Sequence, residues 1–144
     1  MVLSNNLSKI SKQILSIDDT IDAVSIMDMQ GNTLSSTSKE SFYTAKYDVT
    51  KDIHDIAGGF AIVILGMVQR MDKSFGSTEA IVSFHKKCKL MLVPIPSHQI
   101  LIGLVIYRSS NEEYIITKIR TLLDDGNNIS IEQDTDLERR REKN

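Results

Sequence analysis

The chain lacks a second cysteine, a surplus of positive charge and any long hydrophobic run, and each absence removes a class of protein. Of its 144 residues only Cys88 is a cysteine, so no internal disulfide can form, and a bridge-free chain with one thiol fits a reducing compartment. A net charge of -2 supplies no global positive field to recruit nucleic acid. The longest uncharged apolar run, Gly58 to Val68, falls far short of the roughly 20 residues that cross a bilayer, so no integral membrane contact is expected. The opening stretch MVLSNNLSKISKQIL mixes polar and apolar residues and shows no secretory pattern, which makes the cytoplasm the expected location. Asn128-Ile129-Ser130 fits a glycosylation acceptor only by coincidence on that reading.

Chemical motifs are missing as well. Neither Gly-x-x-x-x-Gly-Lys-[Ser/Thr] nor Gly-x-Gly-x-x-Gly occurs, so no phosphate-cradling loop is expected. His54, His85 and His98 are far apart, and only Cys88 lies near one of them, short of the three or four convergent ligands a metal needs. Lys86, Lys87 and Lys89 would lower the pKa of Cys88, but with no base at hand it reads as a turn cysteine rather than a nucleophile. The carboxylate pairs Asp18-Asp19, Glu112-Glu113 and Asp124-Asp125 sit at helix boundaries, where they suit a helix N-terminus or a solvated loop. The sequence therefore predicts a non-enzyme: no catalytic, cofactor-binding or metal-ligating residue is expected.

What is present is an ordinary globular composition, 41% hydrophobic and 25% charged, at a length that suits one domain. Charge is unevenly placed. Up to Leu123 there are 13 basic and 12 acidic residues; from Asp124 to Asn144 there are 4 and 7. That last segment has only Ile129, Ile131 and Leu137 as large apolar residues, too few to offset its ordering entropy. The expected organisation is a domain over 1–123 and a charged, disordered tail over 124–144, with Arg139-Arg140-Arg141 as part of a solvated terminus.

Periodicity supplies the elements. Leu3, Leu7, Ile10 and Ile14 trace a first amphipathic helix ended by Asp18 and Asp19. AVSIMDMQGNTLSS reads as two antiparallel strands about a tight turn at Gln30-Gly31-Asn32. Lys39 to Thr50 reads as a surface loop. From Asp52 to Phe75 the residues Ile53, Ile56, Ala57, Phe60, Ala61, Ile64, Leu65, Val68 and Met71 trace a broad helical face, with Ile62, Val63, Met67 and Phe75 on its flanks and far side. FAIVIL alone also reads as a buried strand, but the polar punctuation lies far outside it and favours one helix of 24 residues, about 36 Å long. A helix apolar all round must be covered on both sides, and a chain this small can cover only one. A second copy is the simplest cover. Gly58 and Gly59, beside Ala57 and Ala61, would leave a flat patch for another backbone.

After Gly76 the period becomes two. Glu79 to Phe84, Leu90 to Ile95 and Gln99 to Tyr107 read as strands, with Lys86 to Lys89 as a solvated turn. The last strand is apolar on nearly every residue and belongs in the middle of a sheet. Pro94, without a ladder donor, should sit at a strand end or bulge. Asn111 is a candidate cap for a final helix through Leu123. The order α-β-β-α-β-β-β-α predicts an α/β (α+β) three-layer sandwich: a five-stranded antiparallel sheet, the long helix on one face and the two terminal helices on the other.

This order, the Asp-x-x-Gly hairpin within AVSIMDMQGNTLSS, the long apolar helix from Ile53 to Met71 and the LVPIP turn entering ILIGLVIY resemble the roadblock family. That family comprises dynein light chains of the roadblock type and their bacterial and archaeal small-GTPase-associated relatives, with a profilin/longin-like architecture. The resemblance covers about Leu3 to Leu123; the acidic tail and the Gly58-Gly59 pair have no counterpart in it. It implies a prokaryotic homodimeric scaffold whose partners are a second copy of itself and a Ras-like small GTPase. Its dimer contact would fall on Ile53, Ala57, Gly58, Phe60, Ala61, Ile64, Leu65 and Val68 of the helix and Ile81, Val82 and Phe84 of the third strand. Such a dimer would bury about 1,500–2,500 Å² in total. The alternative is a small-ligand-sensing domain of profilin-like or PAS-like architecture, which shares a central antiparallel sheet and holds its ligand in a cavity.

Overall fold

A computed structural model describes residues 2–42 and 53–124. Helix α1 (Val2–Leu15) leads into strands β1 (Ile21–Asp28) and β2 (Thr33–Ser38). Helix α2 (Ile53–Gln69) and the short α3 (Asp72–Phe75) follow, then β3 (Ile81–Phe84), β4 (Lys89–Ile95), β5 (Ile100–Ile106) and α4 (Glu112–Asp124). The strands form one antiparallel sheet in the order β2-β1-β5-β4-β3. β5, apolar on both faces, lies in the middle, where layers on either side can cover it.

Alternation divides the core. Val24 and Ile26 of β1, Met91 and Val93 of β4 and the even-numbered residues of β5 meet α1 through Leu7, Ile10 and Ile14, and α4 through Ile115, Ile119 and Leu123. The opposite face sends Met27 and Leu101 against Ala61 and Leu65 of α2. The three-layer sandwich expected from the element order is the observed architecture.

Local chemistry sets the boundaries. Asp18 ends the first connection, its Oδ1 accepting from the hydroxyl and backbone N–H of Thr20 at 2.7 and 2.9 Å, and these bonds hold its carboxyl below the usual range. Asn111 Oδ1 accepts from Tyr114 N–H at 3.1 Å and caps α4. Pro94 lies where β4 has run past β3, which pairs only with Lys89 to Leu92, so its missing donor interrupts no bond to that edge strand.

Two expectations are corrected. The single helix over Asp52 to Phe75 is broken at Arg70-Met71: Met71 N–H turns to Val68 O at 3.0 Å, and α3 starts again from Asp72. The 17 residues of α2 make a rod of about 26 Å, not 36 Å. The loop expected over Lys39 to Thr50 opens with a short 3-10 turn, Glu40–Phe42, whose Phe42 is buried. The remainder of that loop and the expected tail beyond Asp124, including Arg139 to Arg141, lie outside the described residues.

Candidate functional site

Every residue of α2 from Ile56 to Val68 is apolar or glycine, so hydropathy alone cannot orient the helix. Size orients it instead. Gly58, Ala61 and Leu65, spaced by three and four, face inward, where two small residues let the helix approach the sheet closely. The larger side chains are left outside. Phe60, Val63 and Met67 are 65%, 61% and 66% exposed, flanked by the less exposed Ile56 and Ile64. Met71 and Phe75 continue the row at spacings of four, through the helix break.

The close approach is specific to one glycine pair. A Cβ on Gly58 would lie 2.1 Å from the carbonyl oxygen of Gly31, and one on Gly31, where φ is +87°, would lie 2.7 Å from that of Gly58. Asp28 shapes the turn that presents Gly31. Its Oδ1 accepts from the backbone N–H groups of Gln30 and Asn32, both at 2.9 Å, and its Oδ2 accepts from Asn32 Nδ2 at 3.0 Å. Burial pushes the Asp28 carboxyl up, yet these bonds hold it below its ordinary value. The Asp-x-x-Gly hairpin thus docks the N-terminal half of α2.

Of the residues expected at a dimer contact, Ala57, Phe60, Ile64 and Phe84 are exposed, while Val68 and Ile81 are half-buried. The side chain of Ile53 lies outside those described. Ala61 and Leu65 are corrected: at 3% and 2% exposure they belong to the chain's own core. Gly58 is corrected too, because the backbone it receives is that of Gly31, whereas its neighbour Gly59 faces open space. Val82 points to the other side of the sheet, against the core shared with α1 and α4. Val63 and Met67, placed on the flank and far side by the sequence, are with Phe60 the most exposed large side chains described in α2. The signal that finds them is the small-residue spacing of Gly58 and Ala61, which marks the inward face.

Among the described residues β3 is an edge strand, open on the side away from β4. Phe84 at its end lies between two cations, with Lys89 Nζ 5.5 Å and Arg108 Cζ 5.4 Å from the ring centroid. Lys89 is a correction to the solvated turn. It opens β4, is buried, donates to Ser110 O at 2.7 Å and pairs with Glu112, whose carboxyl is held below its ordinary value by that hydrogen bond. Cys88 is a correction of sign: burial and then the charge of Asp22 push its thiol up, so the lysines do not activate it. Among the described residues no group of three His, Cys, Asp or Glu side chains gathers as a metal site. A groove of about 710 Å³ lies between α2 and the strands.

No family model matches the sequence, and no curated protein matches it either. Solved structures do share its fold. A Roadblock/LC7 domain from Streptomyces avermitilis matches with a TM-score of 0.64 at 9% identity, over 82% of this chain and 92% of that one. MglB from Myxococcus xanthus matches with 0.62 at 11% identity, over 82% of each. An MglB structure with a tetrameric arrangement gives 0.71 at 11%, over 92% of this chain and 93% of that one. This chain therefore has the fold of Roadblock/LC7 domains.

Proposed function

We propose that this chain is a non-catalytic interaction scaffold that works as a homodimer, and that the paired platform binds a Ras-like small GTPase or a related signalling switch in a prokaryotic cytoplasm. The observation that carries the dimer is the outer ridge of α2. Phe60, Val63 and Met67 stand exposed on a helix whose inner face is already packed. Covering each such side chain is worth about 1.5–3 kcal/mol, so a ridge of three with Ile56 and Ile64 beside it favours association. The free edge of β3 adds unpaired backbone donors and acceptors that a second β3 can meet, joining two sheets into one. Ile53, Ala57, Phe60, Ile64, Val68, Ile81 and Phe84 remain the dimer candidates from the sequence, to which Ile56, Val63 and Met67 are added.

Support for the partner is the fold shared with Roadblock/LC7 and MglB structures together with the resemblance in sequence motifs. The test is capture. The full chain and its Phe60→Glu variant are immobilised and offered extract from the source cell with either GDP or a GTP analogue. The expected result is one nucleotide-binding protein retained by the unmodified chain in one nucleotide state and lost with the variant. Retention of no such protein in either state contradicts the partner assignment.

A further inference from the structure

The floor of the groove is set by a change in side-chain size along the sheet. Under α2 it is Met27 and Leu92; farther along β1 and β5 it becomes Ala23, Ser25, Gly103 and Val105. Ala57, Phe60 and Ile64 of α2 form one wall. The result is a trough of about 710 Å³, within the roughly 300–1,000 Å³ of small-molecule pockets. Among the described lining residues, formal charge comes from the turn between β3 and β4. Lys86 and Lys87, in that turn, line the groove beside Ser83 and His85, and among the described residues no Asp or Glu lines it. Neither lysine meets a carboxylate among the described residues, whereas Lys89 is taken up by Glu112. Arg108 holds this turn, donating from its guanidinium to His85 O at 2.8 Å.

An apolar trough bordered by Lys86 and Lys87 matches a ligand with a long apolar body and a single anionic head. We propose that the groove binds a free long-chain fatty acid, its chain along the sheet under α2 and its carboxylate at Lys86 and Lys87. The groove shares Ile56, Ala57, Phe60, Ile64 and Ile81 with the proposed dimer contact, whereas Val63 and Met67 on the outer ridge do not line it.

The test titrates the full chain with palmitate below its micelle concentration, following displacement of a fluorescent fatty acid. One palmitate per chain is expected, with saturable binding that tightens by about fourfold per added methylene as the chain lengthens from 12 to 16 carbons. The double variant Lys86→Glu/Lys87→Glu, confined to exposed positions, should weaken palmitate by about tenfold or more while leaving hexadecanol within about twofold. Ala57→Phe, at an exposed helix position on the groove wall, should weaken both by about tenfold. Circular dichroism and melting confirm that each variant folds. Absence of saturable uptake, uptake indifferent to these variants, or binding only to phosphatidylglycerol vesicles overturns the proposal. Mass measured in the same samples separates the two readings: a dimer that takes no palmitate refutes the ligand alone, and a monomer that takes it refutes the dimer alone.

Discussion

The two faces of the sheet are built from similar residues and finished differently. On the face covered by α1 and α4, sixteen described residues are buried in one core; on the face covered by α2 there are four. Two amphipathic helices, each with one apolar stripe, close the first face completely. A single helix apolar on all sides closes part of the second and leaves Phe60, Val63 and Met67 on its outside and a groove along its flank. The first face holds most of the described core, and the second leaves apolar side chains outside it.

The sharpest contrast comes from truncating one side chain on each face. Ile119→Ala, in α4 and fully buried, should cost about 2–5 kcal/mol in denaturant unfolding, whereas Met67→Ala should change the stability of the isolated chain by less than about 0.5 kcal/mol and weaken its dimer. Equal losses in a monomeric background would show that the α2 ridge is core after all. Next in size is Gly58→Ala. Its new methyl group would meet the backbone of Gly31, so hairpin and helix must part, at a cost of about 1–3 kcal/mol.

Glu112→Gln probes the well-finished face through its ion pair with Lys89, and should cost about 1–3 kcal/mol at neutral pH, read by thermal melts. The folded-state pKa of Glu112 lies below its ordinary value of 4.5, so this stabilisation is present above that value and is lost as pH falls through the folded pKa. The unmodified chain and the variant should therefore converge in stability at acidic pH; a constant gap down to pH about 3 would contradict the pair's role. The smallest effect is expected at the neighbouring glycine. Gly59→Ala points into open space and should stabilise α2 by about 0.5–1 kcal/mol, opposite in sign to Gly58→Ala.

Much of the architecture is legible in the sequence because each face leaves its own period. β5 announces a central strand by being apolar at every position but Gly103, and Asn111 announces the start of α4 by capping it. The break at Arg70-Met71 is illegible for a physical reason: no proline or glycine marks it, and Met71 and Phe75 keep the apolar phase running through it. The inward face of α2 is ambiguous because both faces are apolar, so the expected contact list mixed core residues such as Leu65 with ridge residues such as Phe60. Lys89 reads as part of a basic turn because its partner, Glu112, is 23 residues away and only the fold brings them together.

The claim that the α2 face is unfinished in a single chain is tested most directly by the mass in solution of the unmodified protein and of Ile64→Asp, measured by sedimentation across a hundredfold range of concentration. An uncovered α2 ridge predicts twice the chain mass for the unmodified protein and a folded monomer or aggregate for the variant, whose new charge would sit within the proposed contact. A monomer at every concentration, or a variant that keeps both the mass and the melting point of its parent, would contradict it.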